Sequence, residues 1–296
     1  MEPRRLIIDT DVGTDVDDLL TLAMVPALEG VALEAVTLVY GDTDLRARIT
    51  RVACDGLGLD VPIVRGVEQP LSGKAVMWAG HEGEGIDGLD DATYDDRDAV
   101  DVLIEQAAIE PGTLDILAIG PLTNIASAVL QDPTFARNVR HLNVMGGELR
   151  RGWPEHNFSS DAVATWIVLN AGVPMTITPL DQTLRVLLRR DEVERIESGS
   201  PIGSLLGDQT RRCWQWLNTF VSPGHRDQNA PHDPMALLAL TQPALFELRP
   251  MRLDLSARGD GAGVLRGEPD ESSTINVVVD LDPDAVRDAV LNALVR

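Results

Sequence analysis

Short apolar segments that alternate with helix-like segments are the feature that most constrains the fold of this 296-residue chain. A short apolar run between two helices is typical of a strand in a parallel sheet, because helices cover both faces of such a sheet. The pattern predicts strands over residues 6–8, 33–40, 62–65, 114–119, 141–145, 175–178 and 274–279. It predicts helices over residues 18–28, 45–57, 122–130, 162–170 and 283–295.

The C-terminal half adds a mostly helical region over residues 191–240, which glycine and proline interrupt at residues 199–203 and 222–224. No internal repeat or low-complexity linker divides the chain. We therefore predict an α/β fold, with a single large doubly wound, mostly parallel sheet flanked by helices. One domain is expected over residues 1–296.

Charge and composition exclude several kinds of partner. A phosphate-binding surface should be basic, so the formal net charge of −22 predicts neither a nucleic-acid partner nor an acidic membrane partner. No apolar run reaches the roughly 18 residues of a membrane span, and no secretory signal is expected at the start. The two cysteines, Cys54 and Cys213, are predicted to be buried, reduced thiols, which suits a cytoplasmic location.

The most informative stretch is an acidic loop that follows the first predicted strand. Five carboxylates fall between residues 9 and 18, and helix capping would explain only Asp17 and Asp18. In a parallel sheet this position is the carboxyl edge, where ligands bind. Crowded aspartates repel each other unless a cation offsets their charge, and oxygen ligands without histidine or cysteine favour Ca²⁺ or Mg²⁺ over zinc.

The order of acids in this loop resembles the opening motif of the inosine-uridine-preferring nucleoside hydrolases. That motif has Asp-x-Asp, then a glycine, then an Asp-Asp pair, matched here by Asp9, Asp11, Gly13 and the pair Asp17–Asp18. Five residues, 12–16, separate Asp11 from the pair, where the usual form has three. The longer loop contains an additional acid, Asp15.

Three further segments occur in the family's order. Gly-Pro-Leu-Thr-Asn at residues 120–124 follows Ile119, Met-Gly-Gly at residues 145–147 precedes Glu155 and Asn157, and His232-Asp233-Pro follows later. The family's Gly-Asn before the Glu-x-Asn pair is not evident, because Trp153 follows Gly152. Asp42 stands where the family commonly has asparagine, and His81 lies in a glycine-rich loop like the one near the base. The resemblance covers about residues 6–240.

The resemblance implies calcium-dependent hydrolysis of the N-glycosidic bond of ribonucleosides, a small-molecule substrate, and a homodimer or homotetramer. It implies Asp11 as the base that activates water and His232 as a residue that assists the leaving group. The implied metal ligands are Asp11, Asp18, Asp233 and the carbonyl of Ile119. The implied substrate contacts are Asp17, Asp42, His81, Glu155, Asn157 and Asp233.

Alternatives stay open at the level of the sequence. Phosphatases of the haloacid dehalogenase type also carry Asp-x-Asp after a first strand, but they require Thr or Val where this chain has Gly13. A non-catalytic binder of ribosyl ligands on the same fold is a second alternative, and a hydrolase specialised for an unusual base is a third. One of Trp214, Trp216 and Phe220 could stack on the base, although core packing or a subunit contact would equally explain them.

Overall fold

The computed structural model describes residues 3–221 and 228–295, and its centre is a nine-stranded sheet with the strand order β10-β9-β11-β6-β5-β4-β1-β2-β3. A separate two-stranded ribbon pairs β7 with β8. The strands are β1 (Arg4–Thr10), β2 (Val31–Leu38), β3 (Ile63–Arg65), β4 (Leu114–Ala118), β5 (Val139–Met145), β6 (Met175–Thr178), β7 (Leu188–Arg189), β8 (Gln228–Asn229), β9 (Phe246–Leu255), β10 (Leu265–Pro269) and β11 (Ile275–Leu281).

Seven neighbouring strands of the sheet, from β3 to β11, pair in parallel, whereas β9 and β10 are antiparallel additions at one edge. The chain moves outward from β1 through β2 to β3, and then crosses to β4 on the other side of β1. The carboxyl ends of β1 and β4 therefore flank the point where the strand order reverses. Open α/β sheets bind their ligands in the crevice at such a point.

Helices cover both faces of the sheet because successive strand residues point to opposite sides. Leu6 and Ile8 pack into one apolar cluster, and Ile7 between them packs into the other. The helices are α1 (Asp17–Met24), α2 (Thr43–Leu57), α3 (Ala99–Ile109), α4 (Thr123–Gln131), α5 (Phe135–Asn138), α6 (His156–Ser160), α7 (Ala162–Leu169), α8 (Leu180–Thr183), α9 (Arg190–Gly199), α10 (Gly203–Trp216), α11 (His232–Thr241) and α12 (Pro283–Leu294).

The predicted fold class is confirmed, and several predicted boundaries change. The helix predicted over residues 18–28 ends at Met24, because Pro26 cannot donate a backbone hydrogen bond and a short 3₁₀ turn follows. Helix α3 and the antiparallel strands β9 and β10 were not predicted. The helical region predicted over residues 191–240 contains α9, α10 and α11, and its predicted break at residues 222–224 lies outside the described residues. Within residues 3–221 and 228–295, no helix combines the length and the apolar character needed to cross a membrane.

Candidate active site

A cavity of about 260 Å³ opens at the carboxyl ends of β1 and β4, where the strand order reverses. It collects the acidic loop, the N-termini of α1, α6 and α11, and the end of α10. Segments far apart in the sequence therefore meet at one place. The lining residues are Asp11, Thr14, Asp15, Asp17, Asp18, Met77, Ile119, Met145, Glu155, His156, Asn157, Leu180, Trp216, Leu217, His232 and Asp233.

Three buried carboxylates form a compact cluster in this cavity. Asp17, Asp18 and Asp233 each place one ligand oxygen within 4.8 Å of the others. Asp17 and Asp18 begin α1, and Asp233 lies in the first turn of α11. Helix N-termini attract negative charge, and the backbone N–H of Asp233 lies 3.4 Å from Oδ2 of Asp17. The Thr10 hydroxyl donates a hydrogen bond to Asp18 from the end of β1.

Burial and mutual repulsion make this cluster unfavourable as three free anions. Burial raises the pKa of Asp17, Asp18 and Asp233 well above the usual range, and the neighbouring aspartates raise each pKa further. Oxygen donors without a nitrogen or sulfur donor in the cluster fit a hard divalent cation. The cluster can hold such a cation. Asp17 was predicted to contact the ribose, but its carboxylate belongs to this cluster.

Asp11 occupies the wall of the same cavity but is not one of the three clustered acids. Burial raises its pKa, while the positive charge of Arg46 lowers it. A Cβ at Gly120 would lie 2.9 Å from Oδ1 of Asp11, so the carboxylate rests directly against this glycine. The glycine of the Gly-Pro-Leu-Thr-Asn segment therefore leaves room for Asp11.

Arg46 is a fully buried cation that the sequence prediction missed. Its Nε donates to the Tyr40 carbonyl at 2.7 Å, and its Nη1 donates to the Val12 carbonyl at 2.7 Å. The positive charge of Arg46 lowers the pKa of Asp18 as well as that of Asp11. The guanidinium thus offsets part of the acidic charge and fixes the start of the acidic loop. An arginine near the start of a predicted helix gives no local signal of this role.

Glu155 and Asn157 line the cavity, and both also make internal hydrogen bonds. The Glu155 carboxylate caps α6 by accepting the N–H groups of Asn157 and Phe158, and its Oε2 accepts the N–H of Gly147 at 2.9 Å. The Asn157 amide donates to the carbonyls of Ile119 at 3.0 Å and Met145 at 3.2 Å. These bonds join the ends of β4 and β5 to the start of α6.

Two histidines line the cavity. Burial lowers the pKa of His232, which favours a neutral ring, and its Nδ1 lies 2.6 Å from the Thr183 hydroxyl. His156 is the middle residue of the Glu155-x-Asn157 segment and was not predicted as a site residue. The sequence signal for a role of His156 was its position between two predicted substrate contacts.

The other two predicted contacts lie outside the lining of this cavity. Asp42 is exposed, and its side chain caps α2 by accepting the N–H of Leu45 at 2.9 Å. His81 lines a neighbouring cavity, where its Nε2 lies 2.9 Å from the carbonyl of Thr14. Asp42 therefore does not line the cavity, whereas His81 contacts Thr14 and Trp216, which both line it.

Comparison with known proteins identifies the family of the chain. The family profile described as inosine-uridine preferring nucleoside hydrolase matches residues 6–288 of the chain. The chain belongs to this nucleoside hydrolase family. Its members act on N-glycosyl bonds, so the chain is an enzyme of that type. The match across the whole core, and not only at Asp-x-Asp, gives no support to the phosphatase alternative.

Individual relatives of this nucleoside hydrolase carry different substrate names. A probable uridine nucleosidase 2 from Oryza sativa subsp. japonica is 29% identical over 262 residues, which cover 83% of this chain and 76% of the relative. The pyrimidine-specific ribonucleoside hydrolase RihB of Escherichia coli O9:H4 (strain HS) is 29% identical over 222 residues, or 70% of each chain. The solved purine-preferring ribonucleoside hydrolase from Gardnerella vaginalis is 25% identical, with a TM-score of 0.86 and coverage of 98% of both chains.

The structure also separates the three aromatic residues that were predicted as possible base contacts. Trp214 is buried in the core of the nucleoside hydrolase, and Phe220 is 74% exposed and lies beside the neighbouring cavity. Trp216 alone of these three lines the cavity with the acids, at the C-terminal end of α10. Its ring lies 5.8 Å from that of His81.

Proposed function

We propose that this nucleoside hydrolase cleaves the N-glycosidic bond of ribonucleosides in a calcium-dependent reaction, with Asp11 as the base that accepts a proton from the attacking water. One observation carries the proposal. Asp11, the cluster of three acids, Glu155 and Asn157 all line one cavity at the carboxyl edge of the sheet. A cavity of this kind offers hydrogen-bond acceptors for the ribose hydroxyls and negative charge for a cationic sugar.

Calcium is the cation that we propose for Asp17, Asp18 and Asp233, with the Ile119 carbonyl as a further ligand. When bound, it would offset the charge of the clustered acids and orient a water molecule for attack. Calcium acidifies water far less than zinc does, so the reaction requires a carboxylate that accepts the proton. Asp11 supplies that carboxylate, and the nearby Arg46 favours its charged form.

The carboxylates act on the sugar as the glycosidic bond breaks. Positive charge develops on the ribosyl ring in such reactions, as it does in glycosidases. The carboxylates of Asp11 and of the three-acid cluster line the cavity and stabilise this charge electrostatically. Contacts of Glu155 and Asn157 with the ribose hydroxyls would hold the ring in place, and we expect ribosides to react faster than deoxyribosides.

His232 and Trp216 form the proposed wall around the base. The Nδ1 of His232 is engaged by Thr183, so its Nε2 is the ring nitrogen that faces the departing base. Trp216 offers an aromatic face on which a base can stack. The relatives named above include a pyrimidine-specific and a purine-preferring enzyme, so similar proteins differ in the base that they accept.

A ribose-release assay tests the proposed function. The purified protein is incubated with inosine, uridine, cytidine, adenosine and guanosine, with and without a chelator. We expect release that the chelator abolishes and that calcium restores, and Asp11→Asn should lower kcat at least 1,000-fold because general-base catalysis and positioning are lost together. Asp87→Asn, at an exposed position outside the cavity, is the matched control.

An absence of ribose from all five nucleosides in the calcium-loaded protein would contradict the proposed reaction on common substrates. Binding without turnover would then support the non-catalytic alternative. The assembly into a homodimer or homotetramer and the cytoplasmic location stay predictions. Analytical sedimentation measures the oligomeric state.

A further inference from the structure

The additional acid of the long loop, Asp15, has no role in the reaction described above. It lies between Asp11 and the pair Asp17–Asp18, lines the cavity, and is half-buried. Its Oδ1 accepts hydrogen bonds from the N–H of Val16 at 2.6 Å and from Sγ of Cys213 at 3.3 Å. The carboxylate also lines the cavity, so it can meet a ligand there.

Contact with α10 places Asp15 on the base side of the cavity. Cys213, which donates to Asp15, and Trp216 are three residues apart on α10, so the two side chains share one face of that helix. Asp15 and Trp216 both line the cavity. His232 also lines the cavity, and the negative charge of Asp15 raises the pKa of His232 against the larger effect of burial.

Two hydrogen bonds to Thr14 fix the position of the loop next to Asp15. The Thr14 hydroxyl donates to Oε1 of Glu82 at 2.9 Å, and the Thr14 carbonyl lies 2.9 Å from Nε2 of His81. Glu82 is buried and also accepts the N–H groups of Ala79 at 2.8 Å and Gly80 at 2.7 Å. The His81–Glu82 turn thus anchors the loop at the residue next to Asp15, and this restricts the positions that the Asp15 carboxylate can take.

We propose that Asp15 and Trp216 form a subsite for a positively charged base, such as the N-alkylated base of 7-methylinosine. A carboxylate beside an aromatic face is a favourable environment for a ring cation, and Met77 and Leu217 offer apolar contact for an alkyl group. Among the residues that the structure describes, neither a lysine nor an arginine lines the cavity. This inference rests on the proposed function, and it adds the chemical class of the base.

The reaction of such a substrate balances without a proton donor for the base. Water adds its oxygen to the anomeric carbon, and one water proton passes to Asp11. The electron pair of the broken C–N bond returns to the ring nitrogen, so the cationic base departs as a neutral molecule. Asp15 acts only on binding and selection in this scheme.

Inosine and 7-methylinosine are the matched probes, since they differ by one methyl group and one positive charge. Dissociation constants are measured by calorimetry for wild type, Asp15→Asn, Asp15→Glu and Glu84→Gln, and KM and kcat are measured alongside. In Asp15→Asn the Kd for 7-methylinosine should rise at least 10-fold and that for inosine less than 3-fold. Asp15→Glu should retain most of the preference, because it keeps the charge. Glu84→Gln, in an exposed ion pair with Arg212, should leave both values unchanged.

Two results would overturn the assignment: an equal rise in Kd for both probes, which would mean that Asp15 acts through the acidic loop, or no rise for either. Thermal midpoints of the variants identify any that fail to fold. If wild type binds 7-methylinosine selectively but releases ribose from no nucleoside, the proposed reaction fails while the subsite stands. If wild type releases ribose but shows no charge-dependent binding, the reaction stands and the subsite fails.

Discussion

Replacing the buried Arg46 with methionine tests how the acidic site is stabilised. The side chain is fully buried, and it donates to two carbonyls, those of Tyr40 and Val12, at 2.7 Å each. Methionine has a similar length but no donor and no charge. The substitution would leave two buried carbonyls unpaired and would remove the cation that lowers the pKa of Asp11 and Asp18.

The expected magnitude follows from these losses. Removing one partner of a buried charged contact costs about 3–5 kcal/mol, because the remaining groups stay desolvated. Two lost hydrogen bonds from a charged donor, at about 1.5–3 kcal/mol each, give a similar figure. Against a total stability of about 5–15 kcal/mol, such a loss is large. At roughly 2–4 °C per kcal/mol, Tm should fall by about 6–20 °C.

Urea unfolding and calorimetry measure both quantities in calcium-free and calcium-loaded protein. Arg252→Met is the matched control, because its ion pair with Glu268 is exposed and should contribute less than about 1 kcal/mol. A loss below 1 kcal/mol for Arg46→Met would refute the argument that this guanidinium offsets buried carboxylates and carbonyls. A loss of the expected size that calcium removes would instead show that the cation takes over the role of the arginine.

Three other predictions concern the metal, the cavity wall and pH. Calcium at about 100 times its Kd should stabilise the protein by about 2.7 kcal/mol, a rise in Tm of roughly 5–10 °C that a chelator reverses, and an unchanged Tm would contradict the proposed metal cluster. Gly120→Ala would press a methyl group against Asp11 and Val39, and it should lower kcat at least 10-fold and also lower Tm. Gly261→Ala, whose nearest neighbour atom is 4.0 Å away, should change neither, and equal activity of the two variants would count against this placement of Asp11. Burial lowers the pKa of His141 below its usual 6.5, so its contribution to stability is fully present above pH 6.5 and is lost as pH falls through the lower folded value. His141→Gln should therefore weaken the pH dependence of the unfolding free energy between pH 7.5 and 5, and identical slopes would contradict this.

Local sequence patterns were sufficient for the parallel strands of the sheet and for the acidic loop. Apolar runs between helices predicted the parallel strands because burial on both faces demands apolar residues at successive positions. Strands β9 and β10 escaped prediction because β9 mixes exposed charged residues with buried ones and lies in the antiparallel edge of the sheet. The acids of the loop were predicted from their crowding directly after a strand, whereas Asp233 was predicted only from the family resemblance.

What the sequence determined by itself was the order of the strands and helices along the chain and the residue types at the carboxyl edge. Only the tertiary structure decided which acids cluster and what compensates them. Arg46 reaches the Val12 carbonyl across 34 residues, and Glu82 reaches Thr14 across 68. Charge compensation depends on distance in space, and no local pattern encodes a contact between segments that only the sheet brings together. The tertiary structure also decided that Asp42 and His81 are not among the residues that line the cavity, although the family resemblance put both near the substrate.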